Sequence, residues 1–491
     1  MTQEKVIGQR KPRQDVLAKS TGAFVYGMDF QIPGQLYGAI LRSPHPHALI
    51  RSVDASRAQA LAGVEAVLTA KDLPAGLLMP GVVCDQPLLA SDRARYHGEP
   101  IAAVAAQSPD LAQQALGLIV VDYQPLPAII DAETATADES LLVHEAWETY
   151  QAEEGLVRWR NVCCHAALNK GDVERGFASA DEIIEGIYTT ESVHQSHLEP
   201  RVATAVVLPG EVPTVYSNTQ LLYWIRTNVA HVLGVPEEQV RIVPTGIGGA
   251  FGSKLYPQIE PLTALLSRVA GKAVRMVVPL SDELLAGVPR HPTKTRLKTA
   301  VMRDGTLVAQ QATMYLDGGA YTGSTPEIAS VAVLCLAGPY RTPNVHIDVY
   351  GVLTNKTNFG AYRGPGGPYS VFALETHLDE VAARIGMDPL DLRLKNILGE
   401  GDEAANGQIL TSVGLRETVE RATQAIGWRE AAATNRGKGI SLGWWTTTLQ
   451  RSTSEALLDA NGKVVIRVGT NEMGTGAIMG GVRQVAAETM G

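Results

Sequence analysis

The chain has 491 residues, 42 basic and 51 acidic, for a formal net charge of −9 spread without long blocks of one sign; neither nucleic acid nor an anionic membrane is indicated as a partner. That length allows two to four domains with substantial cores, and few aromatics beside plentiful Ala, Val, Leu and Gly suit a packed α/β protein. The start, MTQEKVIGQRKPRQD, has no apolar core and is no secretory signal, and the longest apolar run, IASVAVLCLAG from Ile328, is too short to span a bilayer and reads as a buried strand or helix.

The first 130 or so residues alternate strand and helix. QLYGAILRS (35–43) and PIAAVAAQ (100–107) read as strands, and DASRAQALAGV (54–64) as a helix capped by Asp54. SPDLAQQALGLI (108–119) opens with Ser108 as cap and Pro109 at the first helical position, a strong start signal. Residues 18–130 therefore read as a small, self-contained α/β module, followed by an aperiodic linker over 131–160. A second unit, 161–400, continues through strand-like YTTESVHQSHLEP and ATAVVLPGEVPTVYS. It then gives a helix over LLYWIRTNVAHVLG (221–234) and a strand over QVRIVPT (239–245). Val371, Leu374, Leu378, Val381 and Ile385 form one helical stripe ended by Gly386, and Asp388-Pro389 opens the next helix. A third unit, 405–491, holds KGISLGWWTTT, a hairpin signal at Asn461-Gly462 and a final helix, and it reads as incomplete.

Three glycine-rich loops stand at element junctions: GIGGAFGSK (246–254), GAYRGPGGP (360–368) and NEMGTGAIMGG (471–481). Each leads from extended chain towards an expected helix, where free N–H groups bind anions. The first is neither a P-loop nor a Rossmann fingerprint. Three such loops point to one large anionic cofactor. The four cysteines, Cys84, Cys163, Cys164 and Cys335, form no C-x-x-C pair, and the eleven histidines form no H-E-x-x-H, so the polypeptide offers no metal cage of its own. The cysteines read as buried small apolar residues in a reducing cytoplasm.

GGAFGSK, LDGGAY (316–321), GPYRTPNVHIDVYGVLTN (338–355), GAYRGPGGP and DPLDLRLKN occur in the same order in molybdenum hydroxylases. The chain resembles the molybdopterin-binding chain of that family, which includes xanthine dehydrogenase and aldehyde oxidase. GQLYGAILRSPHPHALIRSVDASRA and DQPLLASDRARYHGEPIAAVAA resemble its N-terminal α/β hammerhead domain. The resemblance implies a mixed α/β (α+β) chain with that domain first and two molybdopterin-binding domains after it, the second partial. It implies a molybdenum–molybdopterin, in its plain or cytosine dinucleotide form, whose dithiolene holds the metal, so that the protein supplies no direct ligand. It also implies hydroxylation of substrate with water-derived oxygen and electron transfer to partner iron–sulfur and FAD chains.

By position, Gln220 in SNTQ matches the glutamine that hydrogen-bonds an oxygen on molybdenum, and Arg363 the arginine near the metal. Phe251 and Gly252, with Gly248 and Gly249, match the first cofactor loop. Gly364 and Gly366 belong to the second, and Gly474, Thr475 and Gly476 to the third, where Thr475 replaces the family's pterin-contacting glutamine. Leu255 stands where purine-oxidising members have glutamate, and Pro365 where they have an aromatic. Gly364 replaces the cysteine that carries copper in carbon monoxide dehydrogenases. These departures favour an aldehyde or N-heterocycle over xanthine, with a xanthine dehydrogenase chain as the alternative. The family's glutamate base lies beyond residue 491, and Glu199 and Glu375 read as structural. The expectation is therefore an enzyme component completed by a second molybdenum-domain chain, against a truncated, non-catalytic remnant. With four cysteines, this chain is expected to hold neither iron–sulfur cluster nor flavin.

Overall fold

In the computed structural model, which describes residues 5–446 and 452–490, the strands of the N-terminal stretch divide: Arg93–Ala94, Ala48–Asp54 and Val120–Pro125 form a small sheet of their own, and the other three enter a seven-stranded sheet together with strands from the second unit. Its order is Arg241–Pro244, Thr214–Ser217, Val202–Val206, Val274–Val277, Leu36–Arg42, Pro100–Ala106, Val64–Thr69. The two halves join where Leu36 pairs in parallel with Val274. Four of the seven strands lie beyond residue 200, so the module read at 18–130 shares this sheet with the second unit.

Alternation explains how the sheet is covered. Ala102, Val104 and Ala106 face the Pro109–Leu116 helix through Ala112 and Ala115, while Ala103 and Ala105 face the Glu260–Ala270 helix through Leu262, Leu265 and Leu266. Small side chains on a central strand let both helices approach closely. Ser108 caps the first of these helices as expected, accepting the Leu111 N–H at 3.2 Å. The helix expected over 54–64 is only Ser56–Gln59, because Asp54 ends the strand Ala48–Asp54 and pairs there with Val120 of Val120–Pro125.

A second, five-stranded sheet runs Val162–Lys170, Asn344–Leu353, Leu307–Gly319, Thr293–Val301, Glu182–Thr190. Helices Thr325–Ala337 and Gly367–Arg384 cover one face, packing Ile328, Leu336, Tyr369 and Ala373 on Met314, Ile347 and Val349. The apolar run from Ile328 is therefore a buried helix. Leu374, Leu378 and Val381 of the expected stripe are buried, and Asp388 caps the helix Pro389–Asn396. The strand expected in YTTESVHQSHLEP ends at Thr190, and residues 191–200 are irregular. The segment 131–160 forms short turns and is packed rather than free, with His144 buried and its Nε2 2.7 Å from the Ala320 carbonyl.

Beyond residue 405 the helix Leu415–Ala425 precedes a hairpin of Ser454–Leu458 and Val464–Val468. At its tip Asp459 accepts the N–H groups of Asn461 and Lys463. Thr447 and Thr448, at the end of KGISLGWWTTT, lie outside the described residues. Cys163, Cys164 and Cys335 are buried and Cys84 is half-buried. No helix among the described residues is long and apolar enough to cross a membrane.

Candidate functional site

The fold brings the first two glycine loops into backbone contact. The first leaves the strand Arg241–Pro244 and leads into a tight turn at Ser253–Leu255, not the expected helix. Gly252 has φ 108°, and a Cβ there would lie 2.5 Å from the Ala361 carbonyl oxygen, so only glycine lets this loop rest on the second. Next to it the Arg363 N–H donates to the Phe251 carbonyl at 2.8 Å, and the Arg363 guanidinium stands 6.0 Å from the Phe251 ring centre. Phe251 and Arg363 are both exposed. The second loop then opens the Gly367–Arg384 helix through Gly366, whose missing Cβ gives room to Val331 and the Ala332 N–H.

Gln220 ties the first loop to the third. Its N–H donates to the Lys254 carbonyl at 2.8 Å, and its Oε1 accepts the Gly252 N–H at 3.1 Å. Its Nε2 lies 3.4 Å from the Met473 sulfur, and Asn471 donates to the Thr219 carbonyl at 2.8 Å. The third loop is not an open anion nest. Glu472 fills it from within, accepting the N–H groups of Gly474, Gly476, Ile478 and Met479 at 2.8, 2.7, 3.1 and 3.3 Å. Burial alone would raise the Glu472 carboxyl; these four donors outweigh it and hold it below the usual range. Arg13, from the N-terminal segment, donates to the Gly474 carbonyl at 3.0 Å. Thr475 is exposed, and Leu255, Pro365, Gly248, Gly249 and Gly364 are half-buried on their loops.

Beneath the first loop lies a charged layer that the sequence did not announce. Glu199 accepts the Gly248 N–H at 2.7 Å, the Met28 N–H at 3.1 Å and the Lys254 ammonium at 3.1 Å. Arg201 pairs with Glu283 at 3.1 Å and donates to both the carbonyl and hydroxyl of Ser253. Burial, opposed by Glu199, pushes the Lys254 ammonium down to about 8. Burial and then Lys254 push His197 down to about 4. Spacing in HLEP and GSK gave no sign of this layer, since its members meet only in the fold.

His194, His197 and Glu283 have their ligand atoms within 4.8 Å of one another. They make a poor metal site: His194 Nδ1 accepts the Ser196 N–H, which leaves the proton on Nε2, and Arg201 already holds Glu283. A cavity of about 100 Å³ opens beside the loops, lined in part by Met79, Gln86, Trp224, Tyr256, Asn358 and Phe359. Tyr256 connects it to the second loop, its hydroxyl accepting the Ala361 N–H at 2.9 Å.

Two family models match the chain. Residues 158–397 match the molybdopterin cofactor-binding domain, and residues 21–127 the a/b hammerhead domain of aldehyde oxidase and xanthine dehydrogenase. A probable xanthine dehydrogenase chain of Bacillus subtilis (strain 168) is 35% identical over 98% of this chain and 64% of its own length. The nicotinate dehydrogenase large molybdopterin subunit of Eubacterium barkeri is 35% identical over 85% of this chain and 96% of its own. The crystal structure of quinoline 2-oxidoreductase from Pseudomonas putida 86 superposes with a TM-score of 0.87 at 29% identity, over 99% of this chain and 65% of that one. The chain therefore spans just under two thirds of the first and third, and nearly all of the second.

Proposed function

We propose that this chain, which belongs to the xanthine dehydrogenase and aldehyde oxidase family of molybdenum hydroxylases, is the component that holds a molybdopterin and presents an aldehyde or N-heterocycle to it. The observation that carries this reading is the convergence of the loops on Gln220. One amide reaches Gly252 of the first loop and Met473 of the third, while Arg363 of the second is bonded to Phe251.

The residues fit the group. Gly248, Gly252 and Gly366 let the loops pack closely on Glu199, the Ala361 carbonyl and Val331, which holds them in place, while Gly364 has no atom within 3.5 Å of its Cβ position and leaves open space there. Among the described residues the Gln220 Nε2 donates only to a thioether, a weak acceptor, so it is available to a better oxygen. The exposed Arg363 guanidinium offers charge-assisted bonds to an anionic cofactor, the plain or cytosine dinucleotide form alike. In the third loop Gly474 and Gly476 are committed to Glu472, which leaves the Thr475 hydroxyl as the group presented. When bound, the cofactor supplies the oxidising centre that hydroxylates a substrate carbon with water-derived oxygen and takes up its electrons.

Leu255 and Pro365, half-buried on the first and second loops, are apolar where a purine-pairing site would be polar, which favours an aldehyde or N-heterocycle. Glu199 and Glu375 are committed elsewhere: Glu375 accepts from the Tyr340 hydroxyl, Arg393 and the Leu442 N–H. Neither is free to act as the general base; the proposed partners are a second molybdenum-domain chain that supplies one and iron–sulfur and FAD chains that take the electrons, all in the cytoplasm. The test is co-expression of the chain with those partners in a host that makes the cofactor. Molybdenum content and turnover of an aldehyde and heterocycle panel with an artificial acceptor are then measured. Stoichiometric molybdenum and turnover are expected; metal-free protein under every condition would support the remnant reading instead.

A further inference from the structure

The charged layer under the first loop does more than fill space. The Lys254 and Glu199 side chains are 1% and 6% exposed, a buried ion pair in an otherwise tightly packed region. Each member of the pair also holds backbone. Glu199 grips the loop at its start, accepting the Gly248 N–H at 2.7 Å and donating its own N–H to the Gly248 carbonyl at 3.1 Å. Lys254 holds the far end: its carbonyl accepts the Gln220 N–H at 2.8 Å and the Thr219 hydroxyl at 3.1 Å. The ion pair thus ties the two ends of the loop together and fixes the backbone from which Gln220 projects.

We propose that Lys254 and Glu199 are positioning residues, a clamp that sets the first loop and aims Gln220; this rests on the reading that the loop holds a cofactor. The second pair, Arg201–Glu283, supports the clamp from below through Ser253, and His197 approaches the same hydroxyl at 3.2 Å. A buried pair of this kind gains little over an apolar substitute in stability, so its value lies in geometry. A bundle of apolar side chains would pack the region but would not fix the Gly248 N–H and the Lys254 carbonyl relative to each other.

The test uses the full chain and two variants. K254M alone leaves Glu199 buried without its cation and puts the fold at risk. The double variant K254M/E199Q removes both charges and leaves an amide that still accepts one N–H. Amide hydrogen exchange is read over 218–222 and 248–254, with the melting temperature recorded in parallel. In the double variant, exchange at Gln220 and Gly252 is expected to accelerate about tenfold while the seven-stranded sheet keeps its protection. Molybdenum content of the co-expressed protein should fall in the same variant. Unchanged exchange at both amides, or acceleration spread evenly over the sheet, overturns the clamp. A wild-type chain that takes up no molybdenum overturns the cofactor reading, while the exchange measurement still decides the clamp.

Discussion

Arg363 donates its backbone N–H to the Phe251 carbonyl, and both residues hold positive φ, 29° and 54°. Side chains other than glycine are held in such conformations where surrounding structure over-determines them, at a cost of about 1–3 kcal/mol each. Two of them facing each other across one hydrogen bond concentrate backbone strain where the first and second loops meet.

Replacing Arg363 with alanine should lower molybdenum content several-fold while moving the unfolding free energy by no more than about 0.5 kcal/mol, the usual range for an exposed side chain. Metal analysis beside a urea titration decides. Early unfolding with unchanged metal would make Arg363 a structural residue.

Gly252→Ala should unfold the chain more readily by roughly 2–4 kcal/mol, combining positive φ with a Cβ against the Ala361 carbonyl. Gly386 also has positive φ, but nothing lies within 4 Å of its Cβ position, so Gly386→Ala is the control and should cost only about 1 kcal/mol. Equal urea midpoints for the two variants would show that the loops can part.

Two buried carboxyls join the N-terminal strands to the second unit: Asp85 accepts the Thr322 N–H and hydroxyl, and Glu99 accepts the Tyr321 hydroxyl. Burial raises Asp85 to about 6 and Glu99 to about 7, against usual values of 3.8 and 4.5. The folded chain keeps the Glu99 proton between about pH 4.5 and 7, where the unfolded chain has released it. The stability it contributes is therefore present at low pH and lost as pH rises through that window. Glu99→Gln should flatten this slope by on the order of 3 kcal/mol, read from urea midpoints across the window. An unchanged slope would place the titration elsewhere.

The chain purified alone should carry no iron and no acid-labile sulfide. Two four-thiolate clusters would need about eight cysteines, and of the four present Cys163, Cys164 and Cys335 are buried in the core. Stoichiometric sulfide would refute this.

Local signals were legible in the sequence. Ser108-Pro109 and Asp388-Pro389 start helices because side-chain capping is a near-neighbour interaction, and Asn461-Gly462 turns a hairpin for the same reason. The glycine loops were legible as loops. Non-local pairing was not: Asp54 had the look of a cap, but its ladder partner Val120 lies 66 residues away and decides its conformation. Glu472 was hidden too, because nothing in NEMGTGAIMGG says that its own carboxylate takes the N–H groups. The Glu199–Lys254 pair joins positions 55 apart and exists only once the loop is folded.

The parallel pairing of Leu36 with Val274 has a consequence for synthesis. Leu36–Arg42 leaves the ribosome long before Val274–Val277, the strand that covers one of its edges. At about 5–20 residues per second, that edge stays open for tens of seconds. An open edge is a template for wrong partners, including the same strand of a neighbouring nascent chain. Slowing translation between these two strands should therefore cost soluble yield, and a chaperone that shields extended chain should restore it.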